Sequence, residues 1–161
     1  MSVWRDLYMK NCTFLNIAHD AFSYLYIENE KFAIIDGLKF INVIGAPLKK
    51  SNSFILTAMV PDSILIVKNL IFQNSTLNVV KGISVQNSLN QLVIEDSMFE
   101  NSTIMSNTIA ISTFDTKQLI IKNLSANKFT YLNSSTGSGS YLLSIDKIDL
   151  NSTMNSSLSD L

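Results

Sequence analysis

Few side chains in this sequence have the chemistry to act on a substrate. His19, the only histidine, stands beside Asp20 in NIAHDAF. A carboxylate next to an imidazole is a pairing suited to general-base work. A base needs a nucleophile or a metal-bound water to serve, and the segment offers neither, so His19 is expected in a solvated loop. Cys12 is the only cysteine, so an internal disulfide and a zinc site are not expected. A small buried apolar role suits it better. Glycoside hydrolysis needs two facing carboxylates. Glu95 and Asp96 adjoin, but strand alternation would send neighbours to opposite faces. Asp146 and Asp149 form the next pair. No catalytic, cofactor-binding or metal-ligating set is assigned, and no cofactor is expected.

Composition narrows the classes of partner. The chain has 161 residues and a net charge of −1, enough length for one domain with a sizeable core. Arg5 is the only arginine and no basic cluster exists, so the footprint of a nucleic-acid binder is missing. No apolar run approaches the length of a membrane-spanning helix. The N-terminal MSVWRDLYMKNC lacks the apolar stretch of a signal peptide. The chain carries 17 Asn but only five Gly and two Pro. Asn and Ser must therefore supply most of its turns.

The elements that would position any site are written in a repeat. LYMKNCTFLN, LIVKNLIFQN and LVIEDSMFEN share a Phe and a final Asn. The anchors are Phe14, Phe40, Phe72 and Phe99, with Ala126 and Leu150 where the pattern weakens. Five places earlier stand Met9, Ile35, Val67, Ile94, Ile121 and Ile145, and seven earlier Leu7, Ala33, Leu65, Leu92, Leu119 and Leu143. Two apolar columns two residues apart are one buried face of a strand. Three places before the anchor are Asn11, Gly37, Asn69, Asp96, Asn123 and Lys147. Asn and Gly tolerate the left-handed backbone region, so the strand is expected to bend there, with Asn side chains forming an inward ladder. A further strand per repeat is read at 25–27, 54–56, 83–85 and 109–111.

The column four places before the anchor is Lys10, Asp36, Lys68, Glu95, Lys122 and Asp146. Every member is charged and the sign alternates at each step. Stacked in parallel about 4.8 Å apart, each charge would lie between two of opposite sign. A slip by one coil would bring like charges together, so the ladder fixes register.

The pattern L-x-I-x-N-x-x-F-x-N, with coils in the mid-twenties of residues, resembles the right-handed parallel β-helix family, the pectate-lyase-like superfold. The resemblance covers residues 7–150. It implies an all-β solenoid of about six coils over 1–150, with 151–161 an Asn/Ser-rich tail or the start of a further coil. It also brings polysaccharide lyases and hydrolases into view. Lyases of that superfold use an arginine base with acidic calcium ligands. Here Arg5 is read as lying outside the coils, with no acidic cluster beside it. The paired aspartates, Gly-His-Gly and Arg-x-Lys of polygalacturonases find no match.

Seven N-x-[ST] sequons begin at Asn11, Asn74, Asn101, Asn123, Asn133, Asn151 and Asn155. The expected glycan acceptors are Asn74, Asn101 and Asn133 in turns, whereas Asn11 and Asn123 fall in the ladder read as inward. Six places before the anchor, Tyr8, Ile34, Ile66, Val93 and Ile120 form an apolar stripe on the outer face beside the charges. Such a stripe marks a contact site for a protein or carbohydrate surface or a neighbouring domain. The expectation is a noncatalytic structural or binding module, a slice of a longer secreted or membrane-anchored surface protein. The alternatives are a divergent carbohydrate-active domain and an intracellular structural solenoid in the cytoplasm.

Overall fold

The computed structural model describes residues 5–19, 23–45, 53–77, 81–85, 88–105, 109–113, 116–128, 130–132, 141–145 and 155–158. These residues form an all-β parallel solenoid. Every strand pairing is parallel, and each strand bonds to its counterpart one repeat away. The first sheet stacks Arg5–Lys10, Glu30–Asp36, Ser63–Lys68, Leu89–Glu100, Gln118–Asn127 and Asn155–Leu158. Beside it run the short strands Thr13–Leu15, Lys39–Ile41 and Ile71–Gln73, which join the second half of Leu89–Glu100. The second sheet stacks Ala18–His19, Ile44–Gly45, Thr76–Leu77, Thr103–Met105 and Thr130–Leu132. The third stacks Ser23–Glu28, Ser53–Ala58, Lys81–Val85, Ile109–Thr113 and Tyr141–Ile145.

Turns between these short strands are made by left-handed residues. Among the described residues, all but one of the positive-φ non-glycine residues are Asn or Asp. One column is Asn11, Gly37, Asn69, Asp96 and Asn123, with φ from 50° to 76°. A second, two places after the anchor, is Asn16, Asn42, Asn74, Asn101 and Lys128. A third turn uses Asn29 and Asp62. Asn and Asp reach this region at lower cost than other side-chain-bearing residues. This is how the chain turns with so little glycine.

Inside, the columns read from the sequence become the core. Ala33, Ile35, Leu65, Val67, Leu92 and Ile94 are fully buried. The anchor rings of Phe14, Phe40, Phe72 and Phe99 lie parallel, with centroids 5.0, 4.9 and 4.9 Å apart and interplanar angles of 5–6°. Coil pitch sets that spacing, and each stacked pair contributes ~0.5–1.5 kcal/mol beyond its buried area.

Three expectations are corrected. The strand of the sixth repeat, with Leu143 and Ile145, does not fall where its pattern placed it, and its anchor Leu150 lies outside the described residues. Tyr141–Ile145 joins the third sheet, pairing Leu143 with Ile111 and Ile145 with Thr113. The sixth place in the first ladder goes to Asn155–Leu158, where Ser157 lies beside Lys122. Leu-x-Ile alternation is shared by strands of both sheets, and here the third-sheet register won. Among the described residues the second and third sheets accordingly hold five strands each, against the six coils expected. Arg5 does not lie outside the coils but opens the first strand, opposite Glu30. His19 sits not in a loop but in a second-sheet strand, opposite Gly45.

Candidate functional site

The most organised array of polar groups lies on the outer face of the first sheet. Pairing register sets Lys10 beside Asp36, Asp36 beside Lys68, Lys68 beside Glu95 and Glu95 beside Lys122. Alternation turns these side chains outward because the residue before each of them along the strand, Met9, Ile35, Val67, Ile94 or Ile121, packs into the core. Glu95 is clamped from both sides. Lys68 Nζ lies 2.8 Å from one carboxylate oxygen and Lys122 Nζ 3.1 Å from the other. Hydrogen bonds from Lys68 and then Lys122 hold the Glu95 carboxyl below the usual carboxylate range. Reciprocally, the bond to Glu95 and its charge raise the Lys68 ammonium above its ordinary value. Asp146 lies outside the described residues.

The adjoining turn column carries a second ladder. Asn69 Nδ2 donates to Asp36 Oδ1 at 2.8 Å, and Asn123 Nδ2 donates to Asp96 Oδ1 at 2.7 Å. In the other turn column Asn42 Nδ2 donates to Asn16 Oδ1 at 2.9 Å. Asn11, Asn69, Asp96 and Asn123 are all exposed, so the ladder expected to face inward faces solvent. The left-handed residue interrupts strand alternation, and the side chain swings out of the corner. For the same reason Glu95 and Asp96 do not sit on opposite faces; both are outside. Asp96 receives Asn123, while Glu95 receives two lysines, so each carboxylate is already bonded within the stack.

The apolar stripe is exposed mainly at one end. Tyr8 is 66% exposed and packs at 5.9 Å from Phe32, whereas Val93 is only 7% exposed between Ile66 and Ile120. Ile34, Ile66 and Ile120 are half-buried. Neighbours one coil above and below cover them. Of the turn sequons, Asn74 and Asn101 are exposed, one coil apart, and Asn133 lies outside the described residues. Cys12 is half-buried at the head of the column that continues as Leu38, Leu70, Ser97 and Leu124.

Some polar contacts were not anticipated from the sequence. Ser75 and Ser102 are buried beneath the second turn. Ser75 Oγ bonds the Gln73 carbonyl at 2.9 Å and accepts from the Val43 N–H at 3.2 Å. Ser102 repeats the pattern with the Glu100 carbonyl at 3.0 Å. The signal was present, since each serine directly follows a left-handed Asn in an Asn-Ser-Thr triplet. Gln91 donates to Gln118, Gln73 to Glu100, and Lys117 reaches Asp62 at 2.5 Å. No group of three His, Cys, Asp or Glu arranged to hold a metal ion occurs among the described residues.

The fold and this face define a parallel β-solenoid. Comparison with protein-family models, with curated proteins and with solved structures finds no match for the chain. Among the described residues, no helix is long and apolar enough to cross a membrane.

Proposed function

We propose that this chain is a noncatalytic β-helix module of a secreted or membrane-anchored surface protein, serving as a spacer and as a binding surface for protein or carbohydrate. The observation that carries the reading is the commitment of Glu95 to Lys68 and Lys122, with Asp36 and Asp96 bonded to the asparagine ladder. Carboxylates that a polysaccharide-cleaving site would use hold coils in register instead. The same repetition spaces like groups at one coil pitch of about 4.8 Å along a flat face, a surface suited to extended partners. A right-handed, pectate-lyase-like winding belongs to the proposal. A parallel strand that returns to its own sheet does so with right-handed connections in nearly all proteins.

The test is an assay on polygalacturonate with and without calcium. No unsaturated uronide is expected. Calcium-dependent product that disappears in Asp36→Asn or Asp96→Asn would overturn the proposal in favour of a divergent lyase. The secretory part is read by glycopeptide mapping of the protein made in a eukaryotic secretory host. Asn74 and Asn101 are the expected acceptors, ahead of Asn123, whose amide nitrogen already donates to Asp96. Occupancy of Asn123 with Asn74 and Asn101 empty would reverse that order.

A further inference from the structure

The outer face of the first sheet carries apolar columns beside its charge ladder. Counting coils by their first-sheet strands, Glu30–Asp36 is the second, Ser63–Lys68 the third, Leu89–Glu100 the fourth and Gln118–Asn127 the fifth. Pairing register sets Ile34, Ile66, Val93 and Ile120 in one line across these four coils, with Phe32 and Ile64 beside it. All but Val93 are half-buried, so the line is apolar at the surface. Strand propensity favours branched residues on such a face, but it does not account for the order of charge that borders them.

That order is self-complementary. Asp36, Lys68, Glu95 and Lys122 run minus, plus, minus, plus along the solenoid axis. A two-fold axis parallel to the strands reverses the order of the coils and leaves each column facing its own copy. Set between the third and fourth coils, it brings Lys68 over Glu95 and Asp36 over Lys122, each pair twice. It also lays Ile66 over Val93 and Ile34 over Ile120. Moved onto the third or the fourth coil itself, the axis would set Lys68 over Lys68 or Glu95 over Glu95. The lysines can take a second partner. Each bonds Glu95 within the chain, an ammonium has three donors, and the Lys68 and Lys122 side chains remain 42% and 53% exposed.

We propose that two copies of this chain pack first sheet against first sheet, as a two-fold dimer in which the apolar columns meet and Lys68 and Glu95 of each copy face Glu95 and Lys68 of the other. An apolar centre with a charged border is the usual anatomy of a protein interface. Four coils make a small one, so the association expected is weak and concentration-dependent. The inference does not depend on the module being noncatalytic or secreted.

Sedimentation equilibrium of the full chain tests it. The wild type should show a monomer–dimer equilibrium. Lys68→Glu and Glu95→Lys should each weaken it by roughly tenfold or more, because like charges then face one another across the two-fold. Mixed one to one, the two variants should associate again, since every facing pair is then opposite in sign. With the axis between the second and third coils, which also matches charge in the wild type, the mixture would keep two like-charged contacts and stay apart. Both reversals break the clamp on Glu95 within the chain. Ile66→Thr leaves the ladder whole and suits a strand. It should weaken the dimer with the β-sheet circular dichroism spectrum unchanged, and it decides the matter if a reversal fails to fold. A chain still monomeric at about 1 mM, a dimer indifferent to Lys68→Glu or to Ile66→Thr, a mixture of folded variants that does not re-associate, or assemblies growing beyond two copies would each overturn the proposal.

Discussion

At the scale of single residues, left-handed corners and a clamped carboxylate carry most of the specificity. Among the described residues Lys128 is the one positive-φ residue that is neither Gly, Asn nor Asp, with φ of 51° in a column otherwise made of Asn. Lys128→Asn should therefore stabilise the fold by about 0.5–1 kcal/mol, read from urea midpoints. Gly37 has φ of +76°, and a Cβ there would meet Asn11 Oδ1 at 2.6 Å. Gly37→Ala should cost about 1–2 kcal/mol, and Gly37→Asn should cost less because Asn suits the backbone. Glu95→Gln removes two partly exposed ion pairs and should cost about 0.5–2 kcal/mol. The sign of its pH dependence follows from a folded carboxyl held below its unfolded value. The stabilisation is present above the unfolded pKa and is lost as pH falls through the folded one. Acid titration of stability should be steeper for the wild type than for Glu95→Gln, and equal slopes would remove Glu95 from that role.

At the scale of elements, the ladders inside and outside the coil do different jobs. The Phe stack supplies the core, and Phe72 lies between Phe40 and Phe99. Phe72→Ala should cost about 3–5 kcal/mol by leaving a cavity that two flat rings cannot fill. Ser75→Ala should cost about 1–3 kcal/mol, because the Val43 N–H would lose its buried acceptor. The first-sheet strands were legible because their apolar positions alternate on a fixed period and their charges alternate in sign. The third-sheet strands were partly legible at 25–27, 54–56, 83–85 and 109–111. The fifth of them was misassigned, since YLLSI alternates just as a first-sheet strand does. Second-sheet strands such as Ala18–His19 and Ile44–Gly45 span two residues, too short for a period to appear. The direction of the asparagine ladder was misread for a related reason. Alternation predicts side-chain direction only while the backbone stays extended, and each φ near +50° ends that condition.

At the scale of the whole molecule, nearly all long-range order comes from contacts one coil away, so cooperativity is that of neighbouring repeats. The outer face was legible as a pattern of charge. It was less legible as a surface, because stacking hides Val93 that a single strand would expose. The central claim is parallel, in-register stacking of these coils. It is tested most directly by interstrand nuclear Overhauser contacts in the isotopically labelled protein. The account predicts amide-to-α contacts linking Leu65, Leu92 and Leu119 as lateral neighbours, and ring protons of Phe72 in contact with both Phe40 and Phe99. Antiparallel α–α contacts, a register displaced by even one residue, or Phe72 in contact with neither ring would contradict it.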